Sequence, residues 1–201
     1  MLRMPAVCAC LLALLCAPVL AQRGAIVASR NLAELTAQAE TIVLARVVFA
    51  HVEPHPELHN LSTVVVTLRV SETLKGLPAD TLTFRQFLWD PRDIADSAAY
   101  HRGDEVLLLL NKVNQYQLTS PAGLNQGRFE IRRDDSGNAF AINGHGNQGL
   151  FEGVTPYSAT FLPRARTAIA ASQASSAAGP IALDDLRQAI KDLIAAQPRS
   201  R

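Results

Sequence analysis

Between residues 63 and 71 the chain alternates almost without fault. Val64, Val66, Leu68 and Val70 fall on one side, and Thr63, Thr67, Arg69 and Ser71 on the other. A period of two means a strand with one buried face. Thr41 to Phe49 is also β-rich. Val43, Ala45, Val47 and Phe49 make one side wholly apolar, and the other carries Arg46, which predicts a strand near the sheet centre. Thr81, Thr83 and Arg85 alternate with Leu82 and Phe84 in a third strand, and the apolar run Val106 to Leu110 reads as a buried fourth. Asn111 to Asn114 is expected to hairpin into a strand over Tyr116, Gln117 and Leu118. Gly127 to Ile131 and Ala139 to Ile142 follow, joined by the turn Asp134-Asp135-Ser136-Gly137. Short strands with turn signals at this spacing predict a small antiparallel barrel or sandwich.

Helical pattern is confined to the ends and one crossing. Asn31-Leu32-Ala33-Glu34 fits a helix start, with Asn31 as N-cap and Glu34 reaching back. Gln22 to Ser29 reads as a flexible lead-in. Asp90 to Arg102 is a polar crossing with room for a short helix. Leu183, Leu186, Ile190, Leu193 and Ile194 form one stripe of a helix, with Asp184 and Asp185 in its first turn, where the dipole favours them. The expected organisation is a barrel over 22–153, an Ala/Ser-rich linker over 154–180 and an amphipathic helix over 181–197. Periodicity leaves open whether that helix packs on the barrel or on a partner.

Composition adds a compartment. Arg3, the apolar run Ala6 to Ala17, the break at Pro18 and the small residues before Gln22 make Met1 to Ala21 a cleavable bacterial-type export signal. The run is shorter than the about 20 apolar residues a spanning helix needs, so no stable membrane anchor is expected after cleavage. All three cysteines, Cys8, Cys10 and Cys16, lie in that signal. The mature chain therefore has no disulfide, thiol nucleophile or thiolate metal site. With a formal net charge of +1 for the whole chain, it carries no electrostatic footprint for nucleic acid. The expected location is periplasmic or secreted.

Candidate chemistry is sparse. His51, His55 and His59, with Glu53 and Glu57, have the residue types of a metal site, but Pro54 and Pro56 forbid the helix that would align them, and the reading is a solvated loop. Gly144-His145-Gly146-Asn147-Gln148-Gly149 matches a dinucleotide fingerprint literally. No helix start follows it, so it reads as a flexible glycine loop. There is no G-x-S-x-G and no His-Glu-x-x-His. Asp90, Asp93, Asp96, Asp104 and Glu105 gather carboxylates in one region, the place an acid/base pair would come from. Phe87-Leu88-Trp89 beside them reads as core cover or a protein-contact anchor. No catalytic, cofactor-binding or metal-ligating residue is assigned, and no cofactor is expected.

Ala39 to Val47, then Val64 to Val70, then Thr73-Leu74-Lys75-Gly76 resemble the netrin-like domain, the OB-type barrel also found in tissue inhibitors of metalloproteases. Arg102 to Leu110 fits its later G-x-x-x-L strand. Asn125-Gln126-Gly127-Arg128-Phe129 is similar to the Q-G-[KR]-F element of uncharacterised exported bacterial proteins of this type. The likeness covers about Asn31 to Ile131. It implies an OB/netrin-like barrel with a short N-terminal helix. Inhibition through an N-terminal Cys-x-Cys does not carry over, because the mature chain has no cysteine. The expected function is a non-enzymatic binding module whose partner is a protein or envelope component. An accessory or inhibitor of an exported protease, and an envelope-acting enzyme using carboxylates of residues 90–105, are the alternatives.

Overall fold

The computed structural model describes residues 28–88, 90–154, 163, 166–167, 170 and 179–197. The predicted leader Met1 to Ala21, residues 22–27, Trp89 and most of the predicted linker lie outside them.

Helix α1 (Leu32–Gln38) begins where its capping box predicts. Asn31 Oδ1 accepts from Glu34 N–H at 2.9 Å, and Glu34 Oε2 accepts from Asn31 N–H at 3.0 Å. Its last turn is closed from elsewhere: Lys75 Nζ donates to the Thr36 and Ala37 carbonyls at 2.9 and 3.4 Å, placing a cation where the dipole is negative. Gly76 then turns with φ +95°, and a Cβ there would stand 3.1 Å from Thr41 Oγ1. The Leu74-Lys75-Gly76 element thus has a local physical reason, a helix cap followed by a turn only glycine makes without strain.

The chain is mainly β. Strands β1 (Thr41–Pro54), β2 (Ser62–Lys75), β3 (Thr81–Phe87), β4 (Glu105–Leu110), β5 (Arg128–Arg133), β6 (Ala139–Asn143) and β7 (Ile181–Ala182) form one antiparallel sheet in the order β3-β2-β1-β4-β5-β6-β7. β1 lies between β2 and β4, as its two apolar sides require. No ladder among the described residues joins β3 to β5 or β7, so the sheet is open. Helix α2 (Pro91–Ala95) occupies the predicted crossing, and helix α3 (Leu183–Ala196) ends the described chain.

Each face of the sheet has its own core, and the β4 run shows why. Val106, Leu108 and Leu110 join one cluster and Leu107 and Leu109 the other, all at most 3% exposed. On the first face Val43, Ala45 and Val47 meet Val64, Val66, Leu68, Phe84 and Tyr100. On the second, Ile42 and Leu44 meet Leu32 and Leu35 of α1 and Leu183, Leu186 and Ile190 of α3. The stripe of α3 is therefore spent on this chain's own core, which settles the question periodicity left open.

Three expectations are corrected. The strand predicted to end at Phe49 runs on to Pro54, because β2 pairs with it throughout, from Val52↔Val64 to Pro54↔Ser62. A bulge makes this possible. Val47 pairs with Leu68 and Phe49 with Thr67, leaving Val48 unpaired and exchanging which residues point inward, from odd to even. The strand expected over Tyr116 to Leu118 does not form, and 111–120 is a loop whose Asn114 Oδ1 accepts from the Tyr116 and Leu118 N–H groups. The end of the expected flexible lead-in is pinned, since Gln126 accepts from Arg30 N–H and donates to the Ala28 carbonyl.

Candidate functional site

A concavity of about 900 Å³ opens between the end of β3, the α2 crossing and the 111–120 loop. Leu58, Phe87, Tyr116 and Leu118 give it apolar surface, and Asp93 and Asn125 are among its polar groups. Mixed lining of this kind suits a ligand with both characters.

Its walls are fixed by specific bonds. Asp90 caps α2 by accepting from Arg92 N–H at 2.9 Å, and Pro91 follows at the first helical position, where its missing N–H costs nothing. The opposite wall is anchored at two points. Thr119 N–H donates to the Arg85 carbonyl at 2.9 Å, tying the loop to the β3 edge. His55 holds the other: its Nδ1 accepts from the Glu57 and Leu58 N–H groups, so Nε2 bears the hydrogen and donates to the Tyr116 carbonyl at 2.8 Å. His55 is 3% exposed.

The histidine cluster is therefore not a solvated loop throughout. His55 is a buried pin, while His51 lies on β1, bonded to Glu53 at 2.9 Å and stacked on Phe49. Among the described residues no group of three or more His, Cys, Asp or Glu side chains is placed to share a metal ion. The glycine motif is not free either. Asn143 and Asn147 exchange backbone N–H to side-chain Oδ1 bonds at 2.8–2.9 Å, and Asn147 Nδ2 donates to the Ala141 and Gly179 carbonyls. Leu150 then accepts from Leu32 N–H. These bonds make the turn part of the core's seam rather than an adaptable loop.

The carboxylates divide. Asp90, Asp93 and Asp96 line the cleft, whereas Asp104 and Glu105 line a smaller recess with His101 and Arg132. His101 links the two groups, 2.8 Å from Asp96 and 3.4 Å from Asp104. The Asp96 hydrogen bond holds the imidazole above its usual range. Asp90 is paired with Arg92 at 2.5 Å, and Glu105 with Arg133 at 2.9 Å. Asp93 has no such partner among the described residues. Burial, with Asp90 and Asp96 nearby, pushes its carboxyl up.

Behind Asp93 the backbone takes an uncommon form. Ser97, Ala98 and Ala99 have φ of 47°, 54° and 59°, three successive non-glycine residues in the left-handed region, each costing roughly 1–2 kcal/mol. Arg128 holds this turn. Its Nη1 donates to the Ala98 carbonyl at 2.6 Å, its Nη2 to the Ala99 carbonyl, and its guanidinium lies 4.0 Å from the Tyr100 ring centroid. Phe129 beside it is fully buried, and a Cβ on Gly127 would come within 2.4 Å of the Ala122 carbonyl oxygen. The Gln126-Gly127-Arg128-Phe129 element is thus architecture that also supports one cleft wall.

The sequence gathers Asp90, Asp93 and Asp96 in one region without assigning them a role, and gives no expectation of the loop opposite them as a wall. The signal available was Asn114, whose short side chain two and four residues before Tyr116 and Leu118 is suited to capping their N–H groups. In comparisons with known proteins, no family model, curated protein or solved structure matches this chain.

Proposed function

We propose that this protein is an exported, non-enzymatic binding module of the cell envelope, and that the cleft between α2 and the 111–120 loop receives a polypeptide partner. The observation that carries the reading is the cleft itself: about 900 Å³ with interleaved apolar and amide-bearing groups, walled by a hydrogen-bonded loop and a capped helix. A preformed surface of that kind binds without first paying to order its walls. Its charged groups are mostly neutralised by one another, Asp90 by Arg92 and Asp96 by His101, which favours a partner held by apolar and amide contacts. Export rests on the Met1 to Ala21 pattern, and the same pattern supports a periplasmic or secreted location.

The finer fold reading belongs here too. An OB/netrin-like barrel would close by bringing β5 to β3, and the strand order β3-β2-β1-β4-β5 is the one from which it closes. Supporting it, the single Thr119–Arg85 bond already links the chain after β4 to the β3 edge. An accessory or inhibitor of an exported protease is the special case in which the partner is a protease.

The test is capture of envelope polypeptides by the protein and by its Tyr116→Asp and Leu118→Arg variants. One partner retained by the parent and lost by both folded variants supports the cleft. Equal capture by all three overturns it. A second reading, an envelope-acting enzyme, is favoured by one observation, the raised Asp93 carboxyl. Turnover of an envelope glycan or peptide that is abolished by Asp93→Asn would replace the binding reading with this one.

A further inference from the structure

The two ends of the sheet are finished differently. At one end the β6 edge is covered. β7 pairs with Phe140 and Ala141, and Asn147 fills the same row by accepting from Asn143 N–H and donating to the Ala141 carbonyl. The β3 edge at the other end is open. Beside its two termini, the Asp80 carbonyl accepts from Val70 N–H, and Leu88 N–H donates to the Ser62 carbonyl. Even-numbered residues therefore turn their backbone groups towards β2, and odd-numbered residues turn theirs outward. Thr119 takes the outward carbonyl of Arg85. The outward N–H and C=O groups of Thr81 and Thr83 have no partner among the described residues, and both residues are exposed.

An open edge is a template for another strand, and proteins blunt theirs with proline, lysine, a bulge or an inward charge. Thr81 to Phe87 hold no proline, lysine or carboxylate, and their register with β2 has no shift. The single charge, on Arg85, is paired with Glu53. Alternate backbone groups along such an edge recur at about 6.8 Å, and another extended chain presents donors and acceptors at the same spacing. The open stretch also adjoins the cleft, because Leu118, next to the Thr119 bond, lines it.

We propose that the β3 edge, from Thr81 to the Thr119 bond, receives an extended segment of the bound polypeptide as an added antiparallel strand. The residues opposite Thr81 and Thr83 exchange N–H and C=O bonds with them, and the strand ends at Thr81, short of the Leu77 turn. The residue opposite Leu82 stands on the core side, where Leu82 packs against the cluster of Val64, Val66 and Phe84, and is apolar. Its neighbours stand on the side where Thr83 Oγ1 meets Thr67 Oγ1 at 3.2 Å, and are polar or β-branched. The segment thus alternates in character and has no proline opposite Thr81 or Thr83. The assignment rests on the protein being a polypeptide-binding module and names how part of the bound chain is held.

Amide exchange and NOE measurements by NMR test it, with a capped peptide of alternating threonine and valine and a lysine at each end as the probe. In the free protein the Thr81 and Thr83 amides are expected to exchange freely. Saturating peptide is expected to slow them about tenfold or more and to give Hα–Hα contacts at Leu82 and Phe84, the antiparallel signature. The same peptide N-methylated along its length should do neither. Thr83→Pro removes an outward N–H, which an edge strand tolerates, and should weaken the peptide about tenfold or more, read at the Thr81 amide. Thr81→Pro, at the strand's first residue, makes the same test at the Thr83 amide should the first variant fail to fold. Slow exchange at both positions in the free protein, whether β5 or a second copy covers the edge, overturns the proposal. No protection by the peptide, or equal protection by its N-methylated form, does the same. Envelope capture lost in Tyr116→Asp but kept in Thr83→Pro would leave the cleft standing and the edge wrong. Peptide protection at the edge, with capture untouched by the cleft variants, would do the reverse.

Discussion

Arg128 braces the turn behind one cleft wall, and it and its neighbours make the clearest predictions. Arg128→Ala removes two hydrogen bonds to backbone carbonyls and the Tyr100 contact, and releases a left-handed turn that is costly on its own. A loss of about 2–4 kcal/mol in denaturant unfolding is expected, with Arg128→Lys recovering little because it lacks the planar fork. Gly127→Ala should cost about 2–3 kcal/mol by the same measurement, since its Cβ would meet the Ala122 carbonyl oxygen at 2.4 Å and backbone must move. Tyr100 offers a pH test. Burial pushes its hydroxyl from 10.0 up to about 12, so the unfolded chain ionises first. Stability from this residue is full below pH 10 and is lost as pH rises towards 12, an alkaline limb that Tyr100→Phe should flatten in a pH series of thermal unfolding.

Among the elements, α3 is the one whose attachment is most open to test. Its apolar stripe enters the core beside α1, and its polar flank is tied to β2 through Glu72, which pairs with Arg187 and, at 2.8 Å, with Lys191. Burial pushes the Glu72 carboxyl up, but hydrogen bonds from Lys191 and Arg187 outweigh it and hold the group below its usual value. The tie is therefore complete above the unfolded carboxyl's value and is lost as pH falls through the folded one. Hydrogen exchange should show α3 amides opening in acid before those of β1. Glu72→Gln should bring the same opening to neutral pH, at a cost of about 1–2 kcal/mol. Leu186→Ala, at a fully buried position, should cost about 2–4 kcal/mol.

The same elements show what the sequence could and could not reveal. β2, β4 and α1 were legible because a period of two, an unbroken apolar run and a capping box each follow from local physics. The Val48 bulge was not legible, because Val47-Val48-Phe49 is apolar in either register and only pairing with Thr67 decides it. Residues 111–120 misled because Tyr116 and Leu118 have strand propensity, while Asn114 caps their N–H groups, Thr119 is held by distant Arg85 and the Tyr116 carbonyl by distant His55. The Asp90 to Asp96 wall was readable as chemistry-bearing. Its partner Arg128 was not, since the turn it grips lies about thirty residues away.

At the scale of the molecule, an open sheet buried on both faces supports a cleft at one end, beside the β3 edge. The rigid parts are the two cores, and the cleft walls are the segments attached to them by a few polar bonds. Ligand binding should therefore protect α2 and the 111–120 loop in hydrogen exchange while leaving β1 and β4 unchanged. Whether the cleft receives a polypeptide is tested by site-specific photocrosslinking in envelope extract. A photoreactive residue replaces Tyr116 in the cleft or Leu77 on the distant β2–β3 turn, which is 89% exposed. Position 116 should give one discrete polypeptide adduct and position 77 none. The same adduct from both positions, or from 77 alone, would contradict it.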